Sequence, residues 1–164
     1  MPSYAEDRAE IENLQARYLF ALDWRDPDEY AGTFTEDGVL DWAGGIVRGR
    51  EAIRQECHGM REYFARRGSG EEPTRPPRLQ HFITSIVITV DGDRASSRSL
   101  WFEIDNDTRL RTPYVGGYGH YEDELRRFDG KWLFSFRKIW NECMDDRAAS
   151  TVNPVSTMVG IRAD

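Results

Sequence analysis

Apolar positions in the first part of the chain recur at helical spacing. Ile11, Leu14, Tyr18 and Leu22 lie three, four and four residues apart, one stripe that predicts a helix over residues 5–23. Acidic residues crowd its first turns, where the helix dipole favours them. A second short helix is expected from Asp26: Asp26 caps, Pro27 suits the first helical position, and Glu29 can reach back as a capping box. Beyond Phe34, Thr35-Glu36-Asp37-Gly38 reads as a turn and Val39–Trp42 as a short strand. Gly44-Gly45 is then a tight turn with Ile46–Val47 as the partner strand. A third helix over about 51–64 would bury Ala52, Ile53, Cys57, Met60 and Phe64. Residues 65–78, rich in Pro, Gly and charge, read as an exposed loop.

The period then changes to two. Leu79–Val90 is rich in Ile, Val, Thr and Phe, and Asp91-Gly92 is a hairpin turn signal. Arg94–Asp105 is the next strand and Asn106–Pro113 a longer connection. Tyr114–Phe128 is a third long strand whose Gly116-Gly117 pair suggests a bulge or bend. Asp129-Gly130 is a second hairpin turn before Lys131–Trp140, and 141–164 is a polar tail, an arm to pack on a neighbour or cover a pocket. Helices first and antiparallel strands after give an α+β layout. A strongly bent sheet wrapped on the first helix would leave a cavity between them.

Composition narrows the function. The length of 164 residues fits one domain, 1–164, with 142–164 as its tail. Five Trp, seven Tyr and eight Phe are enough to line a pocket as well as fill a core. A net charge of -7 with interleaved arginines argues against a nucleic-acid surface. No apolar run spans a bilayer and no apolar leader opens the chain, so a cytoplasmic location is expected. Cys57 and Cys143 make neither a disulfide framework nor a zinc pattern, and no metal or cofactor motif is present.

Asp23 ends the first helix and His81 opens the first long strand. If the fold joins them, the carboxylate fixes the imidazole tautomer and raises its basicity, as a general base requires. Strand alternation puts His81, Ile83 and Ser85 on one face, so Ser85 is a candidate substrate contact. Alternation also pairs Phe134 with Phe136 on one face and Ser135 with Arg137 on the other, leaving the inward face of that strand open. Tyr18, Trp24, Trp42, Trp101, Tyr114, Tyr118, Tyr121 and Trp140 are candidate pocket walls. Tyr121 and His120 oppose each other in the pattern; Tyr121 is taken as the inward residue and His120 as the reserve. Asp41 and Asp105 could line the mouth, and His58 has no partner at metal spacing.

Four segments in order, IENLQARYLFALDWRDPDEYAGTFTEDGVLDW, GREAI, LQHFITSIVITVDGDRA and GGYGHYEDELRRFDGKWLFSFRKI, resemble the SnoaL-like group of the nuclear-transport-factor-2-like superfamily. The resemblance implies a cone-shaped α+β barrel, a strongly curved, mostly antiparallel sheet around three N-terminal helices. Within the group the chain is similar to scytalone dehydratase and lindane dehydrochlorinase-type lyases. Their catalytic Asp and His fall on Asp23 and His81. An arginine of the dehydrochlorinase type corresponds by register to Arg137, and Tyr18 stands near the point where that type carries a lysine. Tyr121 matches a polar pocket position of the dehydratase by register.

The resemblance implies a cofactor-independent lyase. His81, held by Asp23, would take a proton, and Arg137 or a tyrosine, Tyr18 the first candidate, would assist the leaving group. An aromatic-rich cavity suits a hydroxylated aromatic or polycyclic small molecule, for instance a lignin-derived diaryl compound losing water or formaldehyde. The alternatives are a ketosteroid-type isomerase or polyketide cyclase, and a non-catalytic small subunit of a ring-hydroxylating dioxygenase or binding module. A homotrimer or homodimer is expected by analogy.

Overall fold

The computed structural model describes residues 2–67, 79–108 and 110–158, the side chains of 61 and 63–67 excepted. The elements follow in the order α1 (Tyr4–Trp24), α2 (Pro27–Gly32), β1 (Phe34–Trp42), β2 (Gly45–Arg48), α3 (Arg50–Arg67), β3 (Gln80–Asp91), β4 (Arg94–Asp105), β5 (Tyr114–Phe128) and β6 (Lys131–Asn141). A short 3-10 turn, Pro154–Thr157, lies in the tail. The six strands form one curved, unclosed sheet in the order β2-β1-β6-β5-β4-β3. All neighbours are antiparallel except β1 and β6. The expected α+β class and sheet-around-helices architecture therefore hold.

Local chemistry sets the helix ends. Ser3 and Glu6 form a reciprocal capping box at the start of α1. At its end Arg25 adopts a left-handed conformation (φ 55), and its N–H and that of Asp26 return to carbonyls of the last turn. Asp26 accepts the Glu29 N–H at 3.1 Å as expected. Glu29 does not reach back; its carboxylate meets Arg17 at 3.0 Å instead. The predicted α1 stripe is buried through Ile11, Leu14 and Tyr18, with Leu22 partly buried. It packs across β3 and β6.

Several expectations need correction. Thr35–Gly38 is not a turn between elements but part of β1, because Phe34 already pairs with Phe134 in the parallel ladder and a register shift absorbs the residues before Val39. A Cβ on Gly38 would lie 2.9 Å from that of Phe34, so only glycine fits there. Ala52 is exposed, whereas Ile53 and Cys57 face the core. The expected loop 65–78 falls mostly outside the described residues, and α3 runs to Arg67. The polar tail folds back on its own chain: the Asn141 N–H donates to the Arg147 carbonyl at 2.8 Å, Arg147 pairs with Asp41, and Met158 is buried. No described helix is long and apolar enough to cross a membrane.

Three irregularities decide which side chains face inward. The β3–β4 register shifts between Thr84 and Val87, with Ser85 in a left-handed conformation (φ 52). The β5–β6 register shifts at Ser135, so Glu124 pairs with Phe136 but Leu125 with Phe134. The β4–β5 register shifts at Gly116, as the glycine pair suggested. An extra residue in one strand reverses its alternation beyond that point.

Candidate active site

A cavity of about 470 Å3 opens between the sheet, the end of α1 and the face of α3. Its walls include Tyr18, Tyr30, Trp42, Trp101, Tyr121 and Met60. Asp23 stands in the last turn of α1 and His81 near the start of β3, and the fold brings them together. The carboxylate holds the histidine at two points. The His81 backbone N–H donates to Asp23 Oδ2 at 2.9 Å, and ring Nδ1 lies 2.6 Å from Oδ1. That double grip fixes both the strand and the ring plane against the helix end.

The sequence reading missed a second carboxylate. Glu103 is directly opposite His81 in the β3–β4 ladder, and its Oε2 lies 3.1 Å from His81 Nε2. Both ring nitrogens are therefore engaged. Burial disfavours the charged ring, but the hydrogen bonds to Asp23 and Glu103, with their negative charges, outweigh it and raise the His81 pKa to about 9. The ring therefore keeps its proton to higher pH than a free imidazole, held between two carboxylates rather than poised as the neutral base expected from a single Asp partner.

Three buried tyrosines meet beneath the sheet, Tyr18 from α1, Tyr30 from α2 and Tyr121 from β5. The Tyr18 and Tyr30 hydroxyls are 3.0 Å apart, and the Tyr121 ring stacks on Trp101 at 5.9 Å. Tyr30, like Glu103, was not anticipated. Burial pushes the Tyr18, Tyr30 and Tyr121 phenols up from their ordinary range, while the Arg137 charge works against this. They enter the neutral pH range as donors.

Arg137 faces inward because of the Ser135 irregularity, which lets Phe134 and Arg137 share the inner side. It is fully buried and does not line the cavity. Its Nε and one Nη donate to the two Asp123 oxygens at 2.7 and 2.8 Å. Its guanidinium carbon stands 4.0–4.3 Å from the ring centroids of Phe134, Tyr18 and Tyr121. Burial works against this charge, and Asp123 more than restores it. Arg137 thus supports the tyrosine wall from behind, outside the cavity lining.

Other expected contacts fall away. Ser85 is exposed at its bulge, since the register shift rather than continued alternation follows Ile83. Trp24 is more than half exposed, its ring against Phe20, because it follows Asp23 around the helix and points out. His120 lies on the outer sheet face, stacked on Trp140 and 3.2 Å from Glu122, so Tyr121 is the inward residue of the two. Tyr114 and Tyr118 are exposed. Asp41 binds Arg147, and Asp105 caps the following turn. Tyr18, Trp42, Trp101 and Tyr121 do line the cavity. Among the described residues no group of three His, Cys, Asp or Glu is arranged to hold a metal ion.

Comparison with known proteins follows the same lines. The chain is 29% identical over 149 residues to Rv2910c of Mycobacterium tuberculosis, covering 87% of this chain and 91% of that one. A Catenulispora acidiphila protein solved in complex with S-DNPA is 29% identical with a TM-score of 0.66, covering 84% of this chain and 92% of that one. A Novosphingobium aromaticivorans structure, described as that of a proposed scytalone dehydratase, superposes with a TM-score of 0.68 at 24% identity. It covers 94% of this chain and 96% of that one, and its likeness bears on fold alone. Residues 3–138 match the model of the SnoaL-like domain, and the chain belongs to that family.

Proposed function

We propose that this chain is a cofactor-independent lyase that eliminates water, or cleaves a neighbouring carbon–carbon bond, in a hydroxylated ring-bearing small molecule. The observation that carries the reading is the 2.6 Å contact of Asp23 and His81 inside an aromatic-walled cavity. A volume of about 470 Å3 suits a ligand of one or two rings, such as a lignin-derived diaryl alcohol. His81, locked by Asp23, exchanges a proton with the substrate. Tyr18, coupled to Tyr30, donates to a substrate oxygen, and Tyr121 and Trp101 stack on a ring. The S-DNPA complex of the related Catenulispora protein supports a small-molecule occupant.

The test is a panel of diaryl and bicyclic aromatic alcohols scored by mass spectrometry for loss of water or formaldehyde. His81→Ala should reduce turnover at least about a hundredfold with the fold unchanged by circular dichroism. Near-normal turnover in that variant removes the mechanism. The paired phenols beside a proton-transfer group also suit enolisation of a conjugated ketone. A product of unchanged mass would select that isomerase or cyclase reading.

A further inference from the structure

We infer that Glu103 takes the proton from the substrate carbon, and that His81 gives one to the departing oxygen. The inference rests on the lyase reading and assigns directions within it. Both groups line the same cavity, with Oε2 and Nε2 3.1 Å apart. Nδ1 of the ring is held by Asp23, so Nε2 is the ring nitrogen left for chemistry; it lies against Glu103, and the two carboxylates favour the protonated ring. A group already protonated cannot open the reaction as a base; a carboxylate beside it can.

Glu103 is built for that part. Its side chain is about a fifth exposed, more than those of Asp23 and His81, so it is the most open member of the cluster. Its other oxygen, Oε1, occupies room left by Gly116 and Gly117, where added Cβ atoms would sit 3.0 and 3.1 Å away. The bulge at Gly116 therefore houses the carboxylate. Other ionisable groups around the cavity are Tyr18, Arg25, Tyr30, Glu56, Cys57 and Tyr121, with Asp105 and Tyr114 just beyond Glu103.

The step balances without a co-reactant. Glu103 takes the proton from carbon, the C–H electron pair forms the double bond, and the adjacent C–O bond breaks. The leaving hydroxyl takes the Nε2 proton and departs as water. Glu103 is left protonated and His81 neutral, and a proton crossing from Oε2 to Nε2 restores the resting pair.

The assignment is testable before the natural substrate is known. 5-Nitrobenzisoxazole carries one acidic C–H on a planar ring. Loss of that proton breaks its N–O bond and releases a coloured cyanonitrophenol. If Glu103 is the base, the rate does not follow the His81 titration and stays flat from about pH 6 to about pH 8. Glu103→Gln then loses at least about a hundredfold in kcat/KM. Unchanged affinity of that variant for the cyanonitrophenol shows an intact cavity, and its His81 ring titrates at lower pH by NMR. A rate climbing about tenfold per pH unit toward pH 9 would make neutral His81 the base and overturn the assignment. So would full activity of Glu103→Gln, or a wild-type rate no faster than buffer. If water loss by the alcohol panel still depends on His81 in any of those cases, the lyase reading survives them. A flat, Glu103-dependent probe rate with no turnover of any alcohol leaves the base assigned and removes the lyase.

Discussion

Arg137 and His81 both sit against carboxylates on the inner face of the sheet, one sealed in the core and one lining the cavity. Arg137 and Asp123 are fully buried, share two hydrogen bonds, and are joined by Gln15, which donates to Ser97 and Asp123. The guanidinium cannot lose its proton in any accessible pH range. His81 stands between Asp23 and Glu103 with part of the cluster open to solvent, and its proton can move. Fixed charge where water is absent serves architecture; exchangeable charge where a ligand can enter serves chemistry. The tyrosine wall lies between the two and feels both.

The sharpest way to break that division is to unpair the sealed ion. Arg137→Met leaves Asp123 buried without its partner and should cost about 3–5 kcal/mol, read from urea denaturation. Adding Asp123→Leu should recover most of that loss. The cavity cluster should respond to pH instead. The folded His81 pKa of about 9 lies above its ordinary 6.5. Stability from the cluster is therefore complete below about pH 6.5 and is lost as pH rises through about 9. The loss is on the order of 3 kcal/mol in all. Denaturation across that range should show the slope in the native protein and a flatter one in His81→Gln. Tyr30→Phe, which removes the hydrogen bond to Tyr18 within the tyrosine wall, should cost about 1 kcal/mol. It should also raise the Tyr18 phenol further in a spectrophotometric titration, since Tyr30 now holds it down. Smallest is Gly116→Ala: the flexible Glu103 end can yield, so stability should change by less than about 1 kcal/mol. The NMR titration of His81 should still move down as its carboxylate is displaced.

Much of this was legible from pattern. Periodicity located α1, the two Asp-Gly hairpins located the long strands, and the ends of those elements marked Asp23 and His81. Glu103 was hidden by register. Counting back from the Asp91-Gly92 turn, Asp91 faces Arg94 and Val87 faces Arg98, which would set His81 against Ile104. The extra residue at Ser85 moves His81 onto Glu103. Ser carries no marker for a bulge as a glycine pair does, so Gly116 was foreseen and Ser85 and Ser135 were not. The same blindness misplaced Ser85 and left the inward face of β6 open. Tyr30 was missed because a six-residue helix has too few turns to declare a face.

The irregularity at Ser85 also makes the chemistry of the hollow hang on one residue of chain length. Its loss by an in-frame deletion of one codon would restore plain alternation along β3. The imidazole would swing to the outer surface and Phe82, now outside against Phe102, would turn into the hollow. The result would be an oily receptacle on an otherwise unaltered scaffold.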